Sequence, residues 1–209
     1  KPHSLKKTIC YQDIYELLCV KAGLEKRIQR DCSRETERED LTDTGKVPYL
    51  DRGDYGWEGE VKKQDCENGE QVKHYFFRMG IHLFLAYALS ASDLHGENFL
   101  ACGEYPVLLD FETLPGYAGA ADGETVDKQI SNYINSSVLK TGILPELIWG
   151  GNGAIVSALS TGATVRTPFR MPVIKNQGTS EMYIEHEPVE LTFSGCVVTC
   201  KGEVMQPLD

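Results

Sequence analysis

The sequence predicts an α+β fold, and three observations support this prediction. Residues 70–90 repeat apolar side chains at the i, i+3, i+4 spacing of a long amphipathic helix. Residues 98–110 place two apolar runs on either side of Gly103-Glu104, a pattern typical of a β-hairpin. After Gly142 the chain breaks into short β-like runs separated by Gly and Pro. The chain therefore combines helices with β-like segments, and the β-like runs predominate after Gly142, which favours this fold class.

Composition narrows the class of protein. The 209 residues are 41% hydrophobic and 25% charged, as in a soluble globular protein, and the net charge is −10. An acidic balance argues against a nucleic-acid surface and against a polybasic membrane anchor. No run approaches the roughly 18 apolar residues of a membrane span. Seven cysteines without a compact spacing favour reduced thiols in the cytoplasm, and Cys196 and Cys200 lack the partners of a zinc site.

The N-terminal third is expected to combine helix, loop and hairpin. Residues 5–30 predict one or two amphipathic helices broken near Gly23. Residues 31–45 are charged and predict an exposed loop. Residues 47–50 and 55–61 predict two strands around an Asp- and Gly-containing turn. The second strand would be either a surface strand with one buried Trp57 or part of a ligand site.

The helix over residues 70–90 is expected to bury an aromatic stripe and to lead into a polar loop. The stripe comprises Tyr75, Phe76, Met79, Leu83, Phe84 and Tyr87. Residues 125–139 repeat apolar side chains at a period of four and predict a second helix. The β-like runs after it are 144–149, 154–159, 182–184, 190–193 and 196–200.

The polar loop and the hairpin carry the chemistry. Asp93, His95 and Asn98 form D-x-H-x-x-N, and Asp110 and Glu112 form D-x-E twelve residues after Asn98. Protein kinases place an Asp and a metal-binding Asn five residues apart, with a second metal-binding Asp downstream. The hairpin would return Asp110 beside Asn98, and such oxygen donors suit Mg²⁺. The alternative is a polar loop in which Asp93 and Asn98 only cap turns.

The string SDLHGENFLACGEYPVLLDFETL resembles the dehydratase domain of class II lanthipeptide synthetases. The resemblance implies a lipid-kinase-like or protein-kinase-like fold with a truncated N-terminal lobe. On this basis we expect one partial dehydratase domain over 1–209, cut at both ends. Residues 1–61 would be the remnant of the nucleotide-binding lobe, 70–140 the catalytic core with the metal site, and 143–209 a β-rich elimination region.

The resemblance also assigns roles to the kinase-like residues. Lys1, within K-P-H-S, would contact the nucleotide phosphates as a point charge. Asp93 would orient or deprotonate the substrate hydroxyl, and His95 would contact phosphate or support the loop. Asn98 and Asp110 would hold the metal.

Further roles follow from the same resemblance. Either Glu58 or Glu60 would pair with the phosphate-binding Lys. Glu112 would be a second metal-site acid or an acid–base group. Arg170, with Arg166 as the alternate, and Thr179 would serve phosphate elimination, although Gly178 and Ser180 replace the family's residues beside Thr179.

The implied activity is ATP- and Mg²⁺-dependent dehydration of Ser and Thr in a ribosomal precursor peptide, by phosphorylation and then elimination. The family's C-terminal zinc cyclase domain is not expected in this chain, and the isolated chain is expected to be inactive. Two alternatives stay open: a stand-alone lipid or small-molecule kinase, and a peptide-binding remnant without catalysis.

Overall fold

The computed structural model describes residues 1–24, 47–111, 116, 125–145, 157–159, 162, 164–166, 170–192 and 194–207. Within these ranges lie the helices α1 (Lys6–Lys21), α2 (Gly69–Ala88) and α3 (Val126–Ser136), and two short 3-10 helices, Gly96–Asn98 and Val138–Thr141. The strands pair two by two and antiparallel: β1 (Tyr49–Asp51) with β2 (Gly56–Glu58), β3 (Phe99–Cys102) with β4 (Tyr105–Leu108), β5 (Val165–Arg166) with β8 (Glu190–Leu191), β6 (Met171–Lys175) with β7 (Tyr183–Glu187), and β9 (Thr199–Cys200) with β10 (Glu203–Val204). Helices and small antiparallel sheets thus make up the described fold.

Each of the three segments predicted to be helical contains a helix among the described residues. In α2 the side-chain oxygen of Asn68 accepts a hydrogen bond from Gln71 N, which satisfies a main-chain donor at the helix start. Helix α1 ends before Gly23, whose φ of +77° fits the predicted break. The expected loop over residues 31–45 lies outside the described residues.

The aromatic stripe of α2 is buried only in part. Tyr75 and Met79 are buried as predicted, and Phe76 and Leu83 are partly buried. The prediction was wrong for Phe84 and Tyr87, which are 59% and 50% exposed. The buried face of α2 instead continues through three positions spaced along the helix, which are Arg78, His82 and Leu85. This face is set by the packing of α2 on α1 and β4, which local periodicity does not specify.

Two buried polar contacts in α2 join the elements around it. The Tyr11 hydroxyl lies 2.7 Å from His82 Nδ1, and His82 Nε2 lies 2.9 Å from Pro106 O. Because a main-chain carbonyl only accepts, Nε2 carries the proton and Tyr11 donates to Nδ1. Burial lowers the pKa of His82 to about 3, against the weaker opposing effect of the bond to Pro106. A neutral imidazole therefore ties α1, α2 and β4 together.

The hairpin of β3 and β4 is confirmed at the predicted turn. Its register pairs Phe99 with Leu108 and Cys102 with Tyr105. The turn is anchored to α2, because Arg78, whose side chain is 1% exposed, donates to Glu104 Oε2 at 2.6 Å and to Glu104 O at 3.1 Å. The short hairpin is thereby fixed against the longest helix.

The remaining strand predictions are met unevenly. The run at 182–184 overlaps the start of β7 at Tyr183 and Ile184, while β8 and β9 occupy two-residue parts of the runs at 190–193 and 196–200. Residues 146–149 and 154–156 of two further runs lie outside the described residues, and residues 144–145 and 157–159 of the same runs form no strand. Trp57 in β2 is 66% exposed, so of the two alternatives for this strand the one with a buried Trp is wrong. In the described part of the chain, no helix combines the length and apolar character of a membrane crossing.

Candidate phosphotransfer site

The loop after α2 holds Asp93 in an uncommon conformation. Its φ is +62°, in the left-handed region that costs a non-glycine residue about 1–3 kcal/mol and is enriched at functional positions. Its side chain is 75% exposed, with Oδ1 3.8 Å from His95 Nε2. Asn98 Nδ2 donates to Asp93 O at 2.8 Å, and His95 Nδ1 accepts from Glu97 N at 3.3 Å. The D-x-H-x-x-N residues therefore stabilise one compact turn that presents the Asp93 carboxylate to solvent.

A segment that the sequence did not single out supports this loop. Leu94 N donates to Thr141 O at 2.8 Å. At Gly142, with φ +78°, an added Cβ would lie 3.0 Å from Leu94 N and 3.4 Å from Asp93 C. Only glycine fits both the conformation and the close approach without strain. A Gly that follows the end of a predicted helix is the signal that would have found this contact.

The hairpin returns the chain to the same loop. Leu109 N donates to Asn98 O at 2.8 Å, which extends the β3–β4 pairing by one step beyond the strands. Asp110 follows directly, so the predicted juxtaposition of Asn98 and Asp110 is supported by the backbone. Glu112 lies outside the described residues. Among the described residues no three His, Cys, Asp or Glu side chains form a metal cluster. The candidate metal ligands that the structure describes are the amide of Asn98 and the carboxylate of Asp110.

The donor set at this point fits Mg²⁺. Asn98 uses its Nδ2 atom to hold Asp93 O, so its Oδ1 is the amide atom that can ligate a metal. Mg²⁺ in nucleotide sites takes oxygen ligands, with one or two protein side chains beside phosphate oxygens and water. Asn98 and Asp110 supply that chemistry.

Lys1 joins the site from the other side. Its Nζ donates to Leu109 O at 3.2 Å, immediately before Asp110, and lies 3.7 Å from Glu58 Oε2. The Lys1 main chain pairs with Gly56 in both directions, at 2.9 and 3.0 Å, which places Lys1 beside β2. The other candidate, Glu60, lies 3.9 Å from Lys62 in an exposed pair. Glu58 is therefore the acid that pairs with Lys1.

The two residues assigned to elimination are not brought together. Arg170 directly precedes β6, and Thr179 lies in the turn between β6 and β7, so about 17 Å of strand separates the two ends of this hairpin. The Thr179 hydroxyl donates to Asn176 O at 2.8 Å and accepts from Glu181 N at 3.3 Å. These bonds give Thr179 a turn-forming role in this structure. The alternate, Arg166, lies in β5 opposite Glu190.

Sequence reasoning also missed the network that holds the hairpin turn. His74 Nδ1 lies 2.7 Å from Glu104 Oε2, the oxygen that Arg78 also contacts, and Arg78 lies over the Tyr105 ring at 4.4 Å. Burial alone raises the pKa of the Glu104 carboxyl, but the hydrogen bonds from Arg78 and His74 outweigh this effect and lower it. The Gly103-Glu104 pair predicts the turn, but no local pattern indicates that the partner of Glu104 is the buried Arg78 of α2.

Two comparisons with known proteins show what this chain is similar to. Residues 1–209 match a family described as Domain of unknown function (DUF4135). The chain is also 34% identical over 113 residues to the lacticin 481/lactococcin biosynthesis protein LcnDR2 of Lactococcus lactis subsp. lactis. That match covers 51% of this chain and 12% of the relative. The family resemblance stated from the sequence is confirmed by these two findings.

Proposed function

Because the chain belongs to the DUF4135 family, we propose that it takes part in lanthipeptide biosynthesis, as the dehydrating part of a class II synthetase with a kinase-like fold. It would use ATP to modify Ser and Thr of a precursor peptide. One observation carries the proposal. Successive contacts link Glu58, Lys1, Leu109, Asn98 and Asp93, and they gather the residue types of a phosphotransfer site at one place.

The first half-reaction would transfer the γ-phosphate of ATP to a side-chain hydroxyl. The exposed Asp93 carboxylate would accept a hydrogen bond or the proton from that hydroxyl, so that its oxygen can attack phosphorus. The Lys1 ammonium, oriented by Glu58 and Leu109 O, would face the nucleotide phosphates. Asn98 and Asp110 would hold Mg²⁺, which when bound neutralises charge on the phosphate oxygens.

The second half-reaction would remove the Cα proton and expel phosphate from Cβ, leaving a dehydroamino acid. A phosphate ester is a far better leaving group than the hydroxyl it replaces, so phosphorylation must come first. His95 would be a phosphate contact or a support of the loop, and Glu112 an acid–base group or a second metal-site acid. Arg170 and Thr179 stay candidates for this step, with a hairpin length between them.

The distance between Arg170 and Thr179 favours one second candidate function, because a kinase that stops at the phosphate ester needs no elimination residues. The product decides between the two. We would incubate the full protein that carries this chain with ATP, Mg²⁺ and the precursor peptides encoded beside it, and read the peptide by mass spectrometry. Loss of one water per modified residue supports the dehydratase, a stable gain of one phosphate supports the kinase, and an unchanged peptide contradicts both.

A further inference from the structure

We infer that a groove between the C-terminal ends of α2 and α3 binds the peptide substrate beside Asp93. This inference rests on the proposed function and adds where the peptide lies. The groove has a volume of about 300 Å³. Nine residues line it, and this lining defines what we call the peptide groove. They are Tyr87, Ala88, Ser90, Ala91, Asn135, Ser136, Ser137, Lys140 and Thr141.

The floor of the peptide groove is part of the loop that carries the candidate catalytic residue. Ala91 precedes Asp93 by two residues, which span at most about 7 Å of extended chain. Thr141, which also lines the groove, accepts through its main-chain O from Leu94 N at 2.8 Å. A chain lying in the groove would therefore pass within side-chain reach of the Asp93 carboxylate, as a Ser or Thr hydroxyl requires.

Apolar side chains extend from the groove along both helices. On α2, Phe77, Phe84 and Tyr87 are each at least half exposed and share one helix face. This face is about 15 Å long at the rise of an α-helix. It is too long for a small substrate and matches an extended stretch of several residues.

Helix α3 offers a second apolar face. None of its described side chains is buried, and Val126, Ile130 and Tyr133 recur along one side at exposures of 69%, 51% and 74%. Tyr133 lies one turn before Ser137, which lines the groove. Exposed apolar faces of this kind mark sites where another chain docks.

The charge of the peptide groove selects the substrate class. None of its nine lining residues, all within the described part of the chain, carries a carboxylate, and Lys140 supplies its positive charge. The sequence as a whole is acidic, with 31 Asp and Glu against 21 Lys and Arg. The groove therefore suits a neutral or acidic peptide, with apolar side chains flanking the Ser or Thr to be modified.

Two exposed serines of α3 give a matched test. Ser136 lines the groove, whereas Ser131 is exposed on the same helix and lies outside the lining. In the full protein, with ATP, Mg²⁺ and the precursor peptide encoded beside it, Ser136→Trp should raise the KM for the peptide at least tenfold. The KM for ATP should stay within twofold, and Ser131→Trp should match the wild type. Equal peptide KM values for Ser136→Trp and the wild type would overturn the proposal that the peptide binds in the groove.

A photo-crosslinking amino acid at position 136 or 131 separates failure of the groove from failure of the proposed function. A cross-link to the precursor peptide from position 136 only supports the groove, even if the peptide is never modified, in which case the proposed function falls. Modification of the peptide without a cross-link from position 136 overturns the groove and leaves the proposed function in place. If the wild type leaves the peptide unmodified and the cross-linker at position 136 does not capture it, both the groove and the proposed function are overturned.

Discussion

Lowering the pH from 7 to 5 should destabilise the core around His82. The side chain faces Tyr11 and Tyr15 of α1, Phe99 of β3 and the Pro106 carbonyl, and its pKa falls from 6.5 in the unfolded chain to about 3. Between these two values the unfolded chain binds a proton that the folded chain does not. The stability that the neutral His82 contributes is therefore fully present above pH 6.5, and it is lost progressively as the pH falls below 6.5. At about 1.4 kcal/mol per pH unit, the loss at pH 5 is about 2 kcal/mol.

Urea unfolding at pH 7 and pH 5 tests this value, with His82→Phe as the comparison. At pH 7 the variant should be less stable by about 1–3 kcal/mol, because the Tyr11 hydroxyl loses its acceptor in the core. At pH 5 the gap should close by about 2 kcal/mol, because only the wild type loses the contribution of a neutral imidazole. Equal losses in both proteins between pH 7 and pH 5 would refute the assignment of a buried, neutral His82.

Three further predictions concern the site and its support. Glu58→Gln should raise the KM for ATP several-fold by freeing the Lys1 ammonium, whereas Glu60→Gln should leave it unchanged in steady-state assays. Gly142→Ala should destabilise the protein by more than 2 kcal/mol, because a Cβ there meets the main chain at 3.0 Å. Gly23→Ala, with a similar φ but open space, should cost about 1 kcal/mol in the same thermal unfolding series, and equal costs would contradict the steric argument. Glu104→Ala should cost about 3 kcal/mol because the buried Arg78 guanidinium loses its carboxylate partner, and a change below 1 kcal/mol would show that the ion pair is not structural.

The local elements were predictable because their signals are local. Helix α2 and the β3–β4 hairpin follow from apolar spacing and from a Gly-Glu turn, and both lie within two residues of their predicted ends. The hairpin prediction also implied that Asn98 lies next to the segment before Asp110, because antiparallel pairing brings the two ends of a hairpin together. The hydrogen bond from Leu109 N to Asn98 O confirms this contact.

The missed features depend on contacts between distant segments. Spacing cannot show which side of a helix with apolar residues on several faces meets the core, and so Phe84 and Tyr87 were assigned to the wrong side. Arg78 and His82 are buried by specific partners, Glu104 and Tyr11, although charged and polar residues usually lie outside. Which of Glu58 and Glu60 pairs with Lys1 depends on the main-chain contacts between Lys1 and β2, and no motif spacing specifies those contacts.

The central claim is that Asp93 and Asp110 act at one reacting centre, and variant proteins test it most directly. Mass spectrometry would follow the precursor peptide after incubation with ATP, Mg²⁺ and the full protein carrying Asp93→Asn or Asp110→Asn. Asp54→Asn, in an exposed turn, serves as the control. The account predicts that the wild type and the control remove water from the peptide, and that both site variants leave it unmodified. Continued loss of water with either site variant would contradict the account.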